Sequence, residues 1–103
     1  MAMIESLEAL LVQGQDNALT RFGLGNAYLN SRQPNQAIAH LRAAVSFDPG
    51  YSAAWKLLGQ ALTEAGQAVA AVSAYEEGIR VAEARGDVQA AKVMRVLLNR
   101  LLR

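Results

Sequence analysis

Leu24-Gly25 returns as Leu58-Gly59, Ala37 as Ala71 and Leu41 as Tyr75, so the chain repeats itself with a period of 34 residues. A fixed period of this size constrains the fold more than any single side chain does. Each repeat is one supersecondary unit that cannot bury its apolar face alone, so neighbouring units must stack to build a continuous core. Tyr28, Ala44 and Pro49 surround the matching pairs in the first copy, and Trp55, Leu62 and Gly78 in the second.

The rhythm inside each copy is helical. Ile4, Leu7, Leu10 and Leu11 follow a period of about 3.6 residues until Gly14 stops them. Asp16 or Asn17 can cap a helix carrying Leu24, Ala27, Tyr28 and Ser31. Arg32-Gln33-Pro34 makes a turn, with proline in a first helical turn where it loses no hydrogen bond. Ala37, Ile38, Leu41, Ala44 and Val45 form the next apolar face, and Asp48-Pro49-Gly50 ends it. The pattern starts again with Ser52 or Tyr51, then Trp55, Leu58, Gly59 and Leu62, a break at Gly66-Gln67, and Ala71, Val72, Tyr75, Gly78, Ile79 and Ala82. Arg85-Gly86-Asp87 is the following turn, with Asp87 as cap of a last helix over 88–102. Six helices are predicted. Glycine and alanine at the crossings, Gly25 and Gly59 facing Ala37 and Ala71, allow close approach, while Tyr28, Leu41, Trp55, Leu58, Leu62 and Tyr75 fill the wider gaps.

These residues resemble the tetratricopeptide pattern W-x2-L-G-x2-Y, A-x3-F, P, whose 34-residue unit is a helix-turn-helix. The resemblance covers nearly the whole chain and is strongest over 18–82. It implies an all-α fold, an α-solenoid of antiparallel helix pairs in a right-handed superhelix. One domain over 1–103 follows, with a lid helix in 1–15, repeats at 18–51 and 52–85, and a capping helix in 86–103. Two departures stand out: Glu83 where the pattern has proline, and Lys92-Val93 where Leu-Gly would recur. Met1 and the capping helix favour a complete chain.

The resemblance also implies a use. The first helix of each pair lines a concave wall that grips a partner, which nominates Leu19, Phe22, Asn26, Leu29 and Asn30 from repeat one and Lys56, Gln60, Thr63 and Glu64 from repeat two, beside Ala53. Phe22 is either a groove anchor or packs beneath the lid. Asn26 and Gln60, one repeat apart, are either an amide ladder or solvated amides. Lys56 and Glu64 are either ligands or surface charges. Some tetratricopeptide co-chaperones hold a terminal carboxylate with Lys, Arg and Asn. At the matching positions stand Phe22, Asn26, Leu57, Asp87 and Ala91, so only Asn26 fits and that clamp is absent.

Other chemistries find little support. Ten basic and nine acidic residues leave a formal charge of +1, too little to recruit nucleic acid or an anionic membrane. No cysteine is present, His40 has no second ligand at metal spacing, and no catalytic triad or phosphate loop stands in a credible context. No enzyme, cofactor or metal is expected. Arg85-Gly86-Asp87 matches an adhesion tripeptide but reads as a capped turn. The expectation is a protein-binding adaptor of a bacterial-type cytoplasm, with no nucleic acid and no membrane. The alternative is a structural subunit that forms homo-oligomers through its terminal helices, using surplus apolar surface at Val96, Leu98 and Leu102.

Overall fold

The computed structural model describes residues 2–103; Met1, the start of the expected lid segment, lies outside them. Six helices follow one another among the described residues: α1 (Ala2–Val12), α2 (Ala18–Asn30), α3 (Pro34–Phe47), α4 (Ser52–Glu64), α5 (Ala68–Ala84) and α6 (Val88–Leu101). Asn17 caps α2 by accepting from the Thr20 amide at 2.9 Å, and Asp87 caps α6 through the Ala90 amide at 3.1 Å. The start of α4 falls at Ser52 behind Tyr51, without a side-chain cap.

Four of the five turns share one construction. An amide reaches back to a carbonyl five residues earlier, Gln15 to Leu10, Gln33 to Tyr28, Gln67 to Leu62 and Asp87 to Ala82, at 2.8–2.9 Å. The residue before each donor takes a positive φ: Gly14 (88°), Arg32 (61°), Gly66 (78°) and Gly86 (74°). This is the left-handed helix stop that favours glycine, and Arg32 is the one non-glycine residue to adopt it among those described. The fifth turn, between α3 and α4, is built from side chains. Asp48 Oδ1 accepts from the Gly50 amide at 3.1 Å, Trp55 Nε1 donates to the Pro49 carbonyl at 2.8 Å, and the Arg85 guanidinium donates to the Gly50 carbonyl.

Consecutive helices pack against each other, and α2 and α6 also both approach α4, whereas no Cα atoms of α3 and α5 come within 8 Å. The layer of α2, α4 and α6 is therefore tight and the layer of α3 and α5 is splayed, which is what curves a stack of hairpins. The principal extents are 40 × 28 × 18 Å. Leu24, Leu41, Leu58, Leu62 and Met94 are the largest fully buried side chains.

The glycines are placed differently from the sequence expectation. Gly25 lies under Leu41 and Gly59 under the ring of Tyr75, so the nearest neighbour of each glycine is a large residue. A third such contact joins Gly78 of α5 to Met94 of α6 and to Trp55.

Met94 also corrects the reading of α6. The helix-capping residues Tyr51 and Asp87 stand 36 residues apart, because α5 has 17 residues where α3 has 14 and the turn after it is one residue shorter. At that spacing Ala90, Met94, Leu97 and Leu98 take the places of Ala54, Leu58, Ala61 and Leu62, and all of them pack into the core. Thus α6 keeps the pattern of a repeat's first helix, displaced by two residues, and Met94-Arg95 rather than Lys92-Val93 stands at the Leu-Gly position.

Candidate functional site: the wall of α2, α4 and α6

The tight layer carries three recesses. The first, between α2 and α4, is lined by Asn26, Leu29, Asn30, Arg32, Leu57, Gln60 and Glu64. The second, between α4 and α6, is lined by Gln60, Thr63, Glu64, Tyr75, Leu97, Arg100 and Leu101. The third places Lys56 with Ser52, Ala53, Asp87, Gln89, Ala90 and Val93. All three are open to solvent and shallow, suited to side chains of another polypeptide rather than to an enclosed small molecule.

Asn26, Asn30, Gln60 and Glu64 thus converge on one recess, and Leu29 forms its floor. At 9% exposure Leu29 belongs to the core, so it offers a surface beneath a ligand without projecting toward one. Gln60 and Glu64 face both the first and second recesses. Thr63 spends its hydroxyl proton on the Gly59 carbonyl of its own helix, at 2.8 Å. Leu19, 72% exposed, lies outside the three recesses.

Phe22 is partly buried against the core. Its ring stacks on Tyr51 at 4.8 Å between centroids, where α2 meets the start of α4. That contact ties α2 to the start of α4.

Arg32, Leu57, Tyr75, Leu97, Arg100 and Leu101 in the first two recesses, and Ser52, Asp87, Gln89, Ala90 and Val93 in the third, stand beside the residues nominated from the sequence. Those on α6 escape a strict 34-residue period because of the two-residue displacement. The same displacement moves the third-helix positions of the carboxylate clamp from Asp87 and Ala91 to Gln89 and Val93. Neither is a cation, and Asp87 and Ala91 serve as a cap and a core residue.

A second polar group fastens α1 to the stack. The Tyr28 hydroxyl donates to Glu8 Oε1 at 2.9 Å, and the Tyr28 ring lies over His40 at 5.4 Å and 5°. His40 Nε2 faces the same carboxylate oxygen at 3.6 Å. Arg21 contacts His40 Nδ1 at 3.1 Å and pairs with Asp16 through two bonds of 2.7 and 3.0 Å. A guanidinium only donates, so Nδ1 is the acceptor and a neutral His40 keeps its proton on Nε2, toward Glu8. Burial lowers the His40 pKa, against the attraction of Glu8. The hydrogen bond to Glu8 raises the Tyr28 pKa, and the hydrogen bond from Arg21 lowers that of Asp16. Among the described residues no three His, Cys, Asp or Glu side chains are grouped to hold a metal ion, and no helix is long and apolar enough to cross a membrane.

Stacked antiparallel hairpins with a tight inner layer and a splayed outer one define a helical-repeat solenoid. The chain belongs to the tetratricopeptide repeat family, whose model matches residues 4–51 and 22–88. It is 50% identical to the TPR repeat-containing protein PA0015 of Pseudomonas aeruginosa over 99 residues, which is 96% of this chain and 94% of that one. The solution structure of protein BPP2914 from Bordetella parapertussis, 48% identical, superposes with a TM-score of 0.87 over all of this chain and 90% of that one. A tetratricopeptide repeat domain protein from Salinibacter ruber, 22% identical, shares the fold at a TM-score of 0.76 over 84% of this chain and 87% of its own. Solenoids of this family serve in general as non-catalytic scaffolds for contact between proteins.

Proposed function

We propose that this chain is a non-catalytic adaptor that takes a segment of a protein partner onto the wall formed by α2, α4 and α6. The observation that carries the reading is the meeting of Asn26, Asn30 and Gln60 over an apolar floor of Leu29 and Leu57. Each amide offers both a donor and an acceptor, which suits the backbone N–H and C=O groups of an extended segment. Apolar side chains of that segment would rest on Leu29 and Leu57, or on Leu97 and Leu101 in the next recess. Charge on the wall is mixed, Glu64 and Asp87 against Lys56 and Arg100. A partner of either strong sign is therefore a poor match, in keeping with a formal charge of +1. A cytoplasmic site of action belongs to the same proposal.

The test is recovery of bound proteins from cells that express the chain, comparing the native bait with the double variant Asn26→Ala, Gln60→Ala. Both residues lie on the wall outside the core, so the melting temperature should hold while one or more partners are lost. Equal recovery of every partner by a folded double variant overturns the reading.

A further inference from the structure

We propose that Arg95 keeps a helix-docking seat on the outer side of α6 closed to α1 of a second copy of this chain.

The seat is defined by its counterpart one repeat earlier. In α4 the stripe Trp55, Gly59 and Leu62 faces α5, and an added Cβ at Gly59 would lie 2.5 Å from the Tyr75 ring. With the 36-residue spacing its counterpart on α6 is Ala91, Arg95 and Leu98, flanked by Val88 and Leu102; Ala91 is already buried in the core of its own chain and Leu98 partly so, which leaves Arg95, Val88 and Leu102 as the open part. Val88 is 69% and Leu102 63% exposed, and no helix among the described residues covers them. Arg95 occupies the glycine position in the middle. Its guanidinium bonds to Glu83 at the end of α5, which fastens the side chain beside that position.

α1 is the complementary piece. In the 34-residue register Leu7 corresponds to Leu41 and Tyr75, the residues that press on Gly25 and Gly59, and Met3 corresponds to Ala37. Ala37 is fully buried against its own repeat, whereas Met3 is 65% exposed. The two elements also differ in charge. Lys92, Arg95, Arg100 and Arg103 lie on or just after α6 without an acidic residue, and α1 holds Glu5 and Glu8 without a basic one. Attraction and apolar surface would both bring α1 of one copy to α6 of the next, with Leu7, one side of which already rests on Gly23 of its own α2, turned toward position 95. A side chain as large as arginine at a position that barely admits a hydrogen atom prevents that crossing, as charged residues do on exposed strand edges.

Sedimentation of the 103-residue chain tests this. Wild type should remain one species of 11.0 kDa from about 10 µM to about 1 mM. Arg95→Gly should show a weight-average mass that rises with concentration by at least about twofold and does not level at a dimer, because a head-to-tail contact leaves both ends free. Adding Leu7→Glu to Arg95→Gly should return the mass to that of wild type. Should glycine unfold the helix, Arg95→Ala keeps helix propensity, and partial opening should give weaker association that is still above wild type. The proposal falls if folded Arg95→Gly stays monomeric, if glycine unfolds and Arg95→Ala stays monomeric, if Leu7→Glu fails to reverse the association, or if wild type already associates to the same extent.

Discussion

Gly59 lies beneath the ring of Tyr75, with three ring carbons 2.5–2.7 Å from where a Cβ would stand. The two helices are held at a separation that only glycine allows. Replacing Gly59 with leucine should push α4 from α5 and cost about 1–3 kcal/mol, the usual range for overpacking. A urea titration should show a lower midpoint at constant slope. An unchanged midpoint would sink the assignment of this contact.

Arg32 is the opposite case, a side chain where glycine would be easier. It holds a φ of 61° in a turn whose three counterparts use glycine, and a left-handed L-residue carries a cost of about 1–2 kcal/mol. Glycine gives part of that back through the greater freedom of the unfolded chain. Arg32→Gly should therefore raise stability by about 0.5–1 kcal/mol, read as a higher melting temperature. Arg32 also lines the recess between α2 and α4, so the same variant separates stability from partner binding.

The caps offer a comparison within one molecule. Asn17→Ala and Asp87→Ala each remove an acceptor from a helix start and should each cost about 1 kcal/mol. Hydrogen exchange should quicken at the Thr20 amide in the first variant and at the Ala90 amide in the second. Exchange that does not change at those amides would show that the caps carry no protection.

Acid should loosen the attachment of α1. His40 is the single histidine of the chain, and burial lowers its pKa from the ordinary value. A base with a depressed pKa binds its proton less readily when folded than when unfolded. Its neutral form thus favours folding above about pH 6.5, and that contribution is lost as the pH falls from there through the folded pKa. Protonation at Nδ1 would set a second donor against Arg21, while attraction to Glu8 and Asp16 offsets part of the loss. The urea midpoint should fall between pH 7.5 and pH 5, and His40→Gln should flatten that dependence. A slope identical in the two proteins would assign the titration elsewhere.

Much of this architecture is legible in the sequence because the repeat and the helical rhythm agree. The six helices, the cap at Asp87 and the turn at Arg85-Gly86-Asp87 all follow from capping and stop residues whose effects are local. What sits opposite what is harder to read. That Leu41 is the nearest neighbour of Gly25 depends on how two helices are rotated about their axes, which a periodic pattern leaves open. The stacking of Phe22 on Tyr51 escapes a reading of periodicity because the two residues lie 29 apart, on α2 and at the start of α4. The part played by α6 was hidden by a longer α5, since a two-residue displacement breaks a strict period while the core positions persist.

The asymmetry between the two layers has a mechanical result. Along the side of α2, α4 and α6 the backbones abut, while α3 and α5 are separated by a cleft lined by Arg42, Ser73 and Glu77 above Trp55, Leu58 and Leu62. Flexing of the stack therefore pivots on its inner rim, as the ribs of a fan turn about their pin. The outer gap widens or narrows mainly at the expense of solvent, and the face of α2, α4 and α6 changes its curvature while Gly25, Gly59 and their partners stay in place.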